Sequence, residues 1–262
     1  MQLSFYYLIS TWVLALMLFL LMIGFIVLGR NLSQGRMTSA HSKNPGNAAM
    51  VTSLYALLGL LLAFTFGMSG DRFRQRRTII VEESNAIGTA TLRLQLYADS
   101  VQPLFRKHFA HYLDARIAYF DAGTDTTKIR AALRQSRSAA DSLWYVTKSN
   151  SRIPTNLVAS NQMVPALNQM FDIANSRFWS EYNRTPTSIL SMLFILCLSS
   201  AFVAGHTSVG EGKFDWFMAV GFCALISCVI YFIIDLDRPR SGIITHQENA
   251  RAISELRDIL RE

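Results

Sequence analysis

Cysteine, charge and β-type alternation are all scarce in this chain, and each scarcity removes a class of protein. The three cysteines, Cys197, Cys223 and Cys228, fall inside apolar runs. They give neither a disulfide framework nor a metal-ligand spacing, and read as small packing residues. Charged side chains make up 16% of the 262 residues against 51% hydrophobic. That balance suits a membrane domain with a modest polar domain, not two large soluble folds. No period-two alternation of apolar and polar residues appears, so the fold class is all-α. Phosphate-binding loop, nucleophile elbow, dinucleotide fingerprint and zinc-protease motif are missing. The chain is therefore not read as an enzyme, and no cofactor or metal is expected.

What the chain has in abundance is long apolar sequence. Four runs, Leu3–Leu28, Ala48–Gly70, Pro186–Gly205 and Trp216–Ile234, each reach about 20 residues, enough for a helix to cross ~30 Å of hydrocarbon. Lipid supplies no hydrogen-bond partners, so such runs are expected to be spanning helices. The first is too long for a signal-peptide core and lacks a basic flank, so it should stay attached as a span. The expected organisation is a transmembrane hairpin over 1–70 and a basic helical domain over 71–184. A second hairpin follows over 185–235, then a tail over 236–262 with a short amphipathic helix, His246–Arg261.

Charge sets the orientation. Four arginines follow the second run (Arg72, Arg74, Arg76, Arg77), and Arg238 and Arg240 follow the fourth. The positive-inside rule then puts the central domain and both termini in the cytoplasm. Arg30, Arg36 and Lys43 in the first hairpin run against it, while the second hairpin carries Lys213 beside Glu211 and Asp215. The segment 71–184 holds 16 Lys/Arg against 10 Asp/Glu, most of the chain's +7. Such a domain is drawn to anionic headgroups or concentrates anions. It has no groove-reading motif, so nucleic acid is not an expected partner.

Within the central segment the pattern predicts four helices. The first continues the second run from Asp71 to about Ala98, with Ile80, Ile87 and Leu94 at seven-residue steps. The others run over about Pro103–Ala122, Thr126–Lys148 and Asn156–Tyr182, the last with Met163, Leu167, Met170 and Ala174 on one side. Gly123-Thr124-Asp125 and Ser149–Pro154 mark the breaks.

Three groups of residues are candidates for function. In the second run Thr52, Ala56, Gly59, Ala63, Gly67 and Gly70 succeed one another at steps of three or four. Such a stripe either packs helices closely or lines a narrow path, with Thr52, Thr65 or Phe66 at constrictions. Asp235, Asp237 and Arg238 sit just after the fourth run. Carboxylates there are costly unless paired, hydrated or used. They either meet Arg72, Arg74 or Arg76, or bind a cation. Glu82, Glu83 and Asn85 lie beyond the second run; adjacent glutamates on a helix point about 100° apart, so one can face a core while the other is solvated. His108, His111 and Asp114 lie at ligand-like spacing, but no second half-site accompanies them, and they read as surface side chains.

These segments together resemble the bestrophin-like family of bacterial membrane proteins. The resemblance is carried by Gly59-Leu60-Leu61-Leu62-Ala63-Phe64-Thr65-Phe66, by Asp71-Arg72-Phe73 with Arg76-Arg77, and by Glu82-Glu83-Ser84-Asn85-Ala86-Ile87-Gly88-Thr89-Ala90. It closes with Leu236-Asp237-Arg238-Pro239-Arg240 and Gly242. It implies similarity to bestrophins, pentameric and mostly anion-conducting channels of four membrane helices and a helical cytosolic domain, with the second helix lining a neck. This chain lacks an acidic calcium-clasp sequence like that of the animal channels, so calcium gating is not carried over.

The expectation is a homo-oligomeric anion channel of a bacterial inner membrane, with lipid, like subunits and small inorganic ions such as chloride as partners. Thr52, Ala56, Gly59, Ala63, Phe66 and Gly67 would line the path. Arg72 and Arg76 would set charge at its mouth, and Glu82, Glu83, Asn85, Asp235, Asp237 and Arg238 would couple domain to membrane. The alternative is a non-conducting scaffold or signalling protein that recruits a partner through the helical domain.

Overall fold

The computed structural model describes residues 9–34, 45–208, 214–241 and 256–257. The beginning of the first run, Arg36, Lys43, Glu211, Lys213, Gly242 and all of the His246–Arg261 helix but two residues lie outside them. Among the described residues the long α-helices are, in order, α1 (Thr11–Gln34), α2 (Pro45–Leu92), α3 (Gln102–Asp121), α4 (Thr126–Asn150), α5 (Leu157–Ser180), α6 (Thr187–Thr207) and α7 (Trp216–Leu236). Among the described residues there is no strand. The chain divides into two compact units: Met1–Arg72 with Arg184–Arg238, and Phe73–Asn183 with Pro239–Glu262.

The first unit is apolar. α1, α6, α7 and the front of α2 are long and apolar enough to cross a membrane. α1 begins at Thr11, later than the apolar run, and continues six residues beyond it. One face of α1, Leu14, Leu18, Met22 and Ile26, is fully buried, while Trp12, Leu16 and Leu20 are exposed. Between apolar helices in lipid there is little hydrophobic drive, so close van der Waals packing must hold them. The α1–α6 crossing achieves it with two glycines. A Cβ on Gly29 would sit 2.2 Å from the Phe202 carbonyl oxygen, and one on Gly205 would sit 2.0 Å from that of Ile26. Only hydrogen at these positions lets the backbones approach this far. α7 is started by Asp215, whose carboxylate accepts the Met218 N–H at 3.1 Å, satisfying a donor that the first turn leaves unpaired.

The second unit buries an ordinary hydrophobic core. Ile80, Ile87 and Leu94 of the α2 end and its 3₁₀ extension (Arg93–Leu96) meet Phe105, Phe109 and Leu113 of α3. Leu143 comes from α4, and Met163, Leu167 and Met170 from α5. Burying each such side chain is worth about 1.5–3 kcal/mol against leaving it in water. The α-helical part of α2 ends at Leu92, short of the Ala98 expected, because the chain tightens into the 3₁₀ turn. Asp125 caps α4 by accepting from the Thr127 and Lys128 amides at 2.9 and 3.1 Å. Before it, Gly123 adopts φ +52°, a conformation that a residue with a Cβ rarely takes. Leu256 packs against this core, and Arg257 pairs with Asp114 at 3.1 Å.

Candidate functional site

Along the apolar part of α2, Tyr55, Leu58, Leu62, Thr65, Ser69 and Arg72 recur at alternating steps of three and four and form the side turned to the rest of the unit. Leu58, Leu62, Thr65 and Ser69 are buried. The Tyr55 hydroxyl donates to the Ser200 carbonyl at 3.3 Å, and its ring meets Phe222 edge-on at 5.7 Å. At 100° per residue the small-residue stripe lies roughly 130° round the helix from this side. Thr52, Ala56, Gly59, Ala63 and Gly67 are all exposed, as is Phe66. A Cβ built on Gly59, Gly67 or Gly70 would meet nothing within 4 Å. Among the described residues the stripe therefore serves no close packing; Gly29 and Gly205 supply the close approach. α2 is also the least enclosed of the apolar helices, with 17% of its most apolar stretch buried against 39% for α6 and α7.

Where α2 meets the end of α7, one polar cluster closes the first unit. Asp237 is wholly buried at the C-terminal end of α7, a place where the helix dipole disfavours an anion. Arg72 offsets this with a two-pronged contact, Nε to Oδ1 at 2.9 Å and Nη2 to Oδ2 at 3.2 Å. The same Nη2 donates to Ser69 at 2.9 Å and to Thr185 at 2.5 Å. Thr185 in turn gives Asp237 its amide, at 2.9 Å, and its hydroxyl. Of the two readings for these carboxylates, pairing describes Asp237. Asp235, two residues earlier, is also buried, and Arg238 donates to the Ile9 carbonyl.

The second unit holds a buried triad. Glu83 is 0% exposed and receives Arg116 Nε at 2.5 Å and Arg177 Nη1 at 2.6 Å. Burial by itself would raise the Glu83 pKa, but the two guanidiniums outweigh it and hold the carboxyl below its usual range. Glu82 and Asn85 are exposed, so the adjacent glutamates divide as the helical angle requires. The Tyr119 ring lies under Arg116, Arg177 and Arg240, at 4.8, 5.5 and 4.3 Å from its centroid. Desolvation, with Glu181 nearby, pushes its phenol up to about 12. Arg240 grips Glu181 at 2.7 and 3.0 Å and donates to the carbonyls of Tyr119 and Gly123.

The two arginines expected at the mouth both have partners inside the protomer. Arg72 has its charge matched by Asp237, and Arg76 is 4% exposed with Nη1 donating to the Asn183 carbonyl at 3.2 Å. Both are committed to structure, whereas Arg74 and Arg77 are the exposed members of the run. Sequence reasoning missed Arg116, Arg177, Thr185 and Ser69. The signal for the first two was an arginine among the apolar positions of an amphipathic helix, beside Tyr112 and Leu113 in one case and Ala174 in the other. Among the described residues no group of three or more His, Cys, Asp or Glu is placed to hold a metal ion. Burial, then the neighbouring His111 and Lys107, depresses the His108 pKa.

Comparison with known proteins agrees with this architecture. Two crystal structures of variants of a bacterial bestrophin homolog from Klebsiella pneumoniae superpose with TM-scores of 0.66 and 0.67, at 13% and 12% identity. They align over 96% and 94% of this chain and 97% and 98% of theirs. That likeness establishes the fold. No curated protein matches the sequence. The family model for the bestrophin-like domain matches residues 16–249, and the chain accordingly belongs to the bestrophin-like family of membrane proteins.

Proposed function

We propose that the protein is a homo-oligomeric ion channel of a bacterial inner membrane, with four spans per subunit and the small-residue face of α2 lining an anion path. The observation that carries this reading is the exposure of Thr52, Ala56, Gly59, Ala63, Phe66 and Gly67 in the protomer. Small side chains are poor lipid-facing residues, since they bury little surface in hydrocarbon. A ring of α2 helices from several subunits gives that face a use, because small residues leave a narrow lumen open and Phe66 supplies an apolar constriction. A single four-span subunit has little room for a water-filled path. Family membership and the likeness to the bacterial bestrophin homolog support the same reading, and pentameric assembly comes with it by resemblance.

On this reading the Arg72–Asp237–Thr185 cluster anchors α2 rather than selecting ions, since its charges cancel inside the subunit. Arg74 and Arg77 supply exposed positive charge next to the path, and with the excess of Lys/Arg over Asp/Glu in 71–184 they favour anions. The basic segment and both termini face the cytoplasm by the positive-inside rule. The test is salt-gradient flux in liposomes, with anion substitution, beside the size of the solubilised assembly. Anion-selective flux that vanishes in Gly59→Leu or Ala63→Leu, with assembly size unchanged, supports the channel. Undiminished flux in both variants removes this face of α2 from the path. A monomer or dimer that conducts nothing favours a scaffold instead.

A further inference from the structure

Within the second unit, α4 and α5 leave between them a cavity of about 740 Å³, floored by Tyr112 and Arg116 of α3. Its volume lies in the range of sites for small organic ligands, about 300–1,000 Å³, and far exceeds what one inorganic ion fills. α4 presents Arg130, Arg134, Arg137, Asp141 and Trp144 to it, at steps of four, three, four and three, which is one helical face. α5 answers with Phe171, Phe178 and Trp179, together with Asn168, Asp172 and Asn175. The walls are thus aromatic and the rim basic, with three exposed arginines against two carboxylates.

The cavity is open to solvent, and two side chains at its base are themselves buried. Arg116 is 2% exposed; its Nε serves Glu83, but its Nη2 has no hydrogen-bond partner. The hydroxyl of Tyr112, 1% exposed, is likewise unsatisfied, with Ser136 nearby but outside hydrogen-bond geometry. Leaving a buried donor unpaired costs about 1–3 kcal/mol, more for a charged group, so these two add positive potential beneath the cavity that no acceptor in the protomer offsets. Burial also pushes the Tyr112 phenol up to about 12, so at neutral pH it stays protonated and able to donate.

We infer that this cavity binds an amphipathic organic anion, its acidic head on the α4 arginines, above the buried Arg116 and Tyr112, and its flat apolar body between Trp144 and the Phe171–Phe178 wall. A carboxylate or phosphate takes charge-assisted hydrogen bonds from guanidinium, and an aromatic body stacks on the walls. The site is built wholly from the second unit, and its binding is read without any measurement of conduction.

The test uses the full-length protein in lipid nanodiscs and equilibrium dialysis of 1-naphthylacetate, with empty discs subtracted and uncharged 1-naphthylacetamide as its twin. Saturable binding of the acid, about tenfold or more tighter than the amide, is expected. The pair of exposed substitutions Arg134→Glu and Arg137→Glu should weaken it by a similar factor, with helicity and particle size unchanged. A measurement without any variant accompanies it: the acid, but not the amide, should protect Arg134 and Arg137 from phenylglyoxal. No saturable binding, equal affinity for acid and amide, or unprotected arginines would overturn the inference.

Discussion

Replacing Glu83 by Gln is the sharpest test of what holds the helical unit together. The side chain keeps its shape but loses its charge, and two guanidiniums remain in a pocket built for one carboxylate. Arg116 and Arg177 are 2% and 5% exposed, so neither turns to water without unpacking its helix. Breaking a buried pair by removing one partner costs about 3–5 kcal/mol, because the orphaned charge stays desolvated. Here one carboxylate serves both arginines, which puts the expectation at the upper end. For a chain of this size each kcal/mol moves the midpoint by about 2–4 °C, so the helical signal of the nanodisc-held protein should melt roughly 6–20 °C lower. The pH dependence follows from the same pairing. The folded carboxyl titrates below its unfolded value, so its contribution is fully present above about pH 4.5 and is lost as pH falls through the folded pKa. The gap between wild type and variant should therefore be constant from pH 8 to about 5 and close only in stronger acid. A shift below about 2 °C at pH 7, or a gap that closes near neutrality, would refute the triad as the strut of this unit.

Three further outcomes are expected. Gly205→Ala puts a methyl group against the Ile26 carbonyl and should cost about 1–3 kcal/mol, read as a lower melting point and loss of folded protein after extraction. Gly67→Ala, with open space around it, should leave protomer stability within about 0.5 kcal/mol of wild type. Asp237→Asn strands Arg72 and removes the charged acceptor for Thr185; a double-mutant cycle with Arg72→Gln should return a coupling of about 1–3 kcal/mol, and additive effects would break the cluster apart.

The resemblance-bearing motifs separate into different tasks once the fold is known. The segment Asp71–Arg77, read as a charged mouth, divides by helical angle. Arg72 and Arg76 turn inward, one of them onto Asp237, while Arg74 and Arg77 stay exposed. Glu82 and Glu83 divide in the same way, and only Glu83 joins the triad. Such divisions are invisible to a motif, because a motif records neighbours in sequence and the pairing partners lie 33 to 165 positions away.

The sequence by itself determined that this is an all-helical membrane protein, because lipid and water impose length and polarity on every segment separately. It also located α3, α4 and α5 to within a few residues, since apolar periodicity, Pro103, Gly123 and Asp125 act locally. Tertiary structure decided which face of each helix is used. The stripe of α2 looks like a packing seam, yet among the described residues the close approach is Gly29 against Gly205, and the anchoring side of α2 is Tyr55, Leu58, Leu62, Thr65 and Ser69. Rotation about a helix axis is fixed only by what stands opposite, and that partner is brought there by the fold.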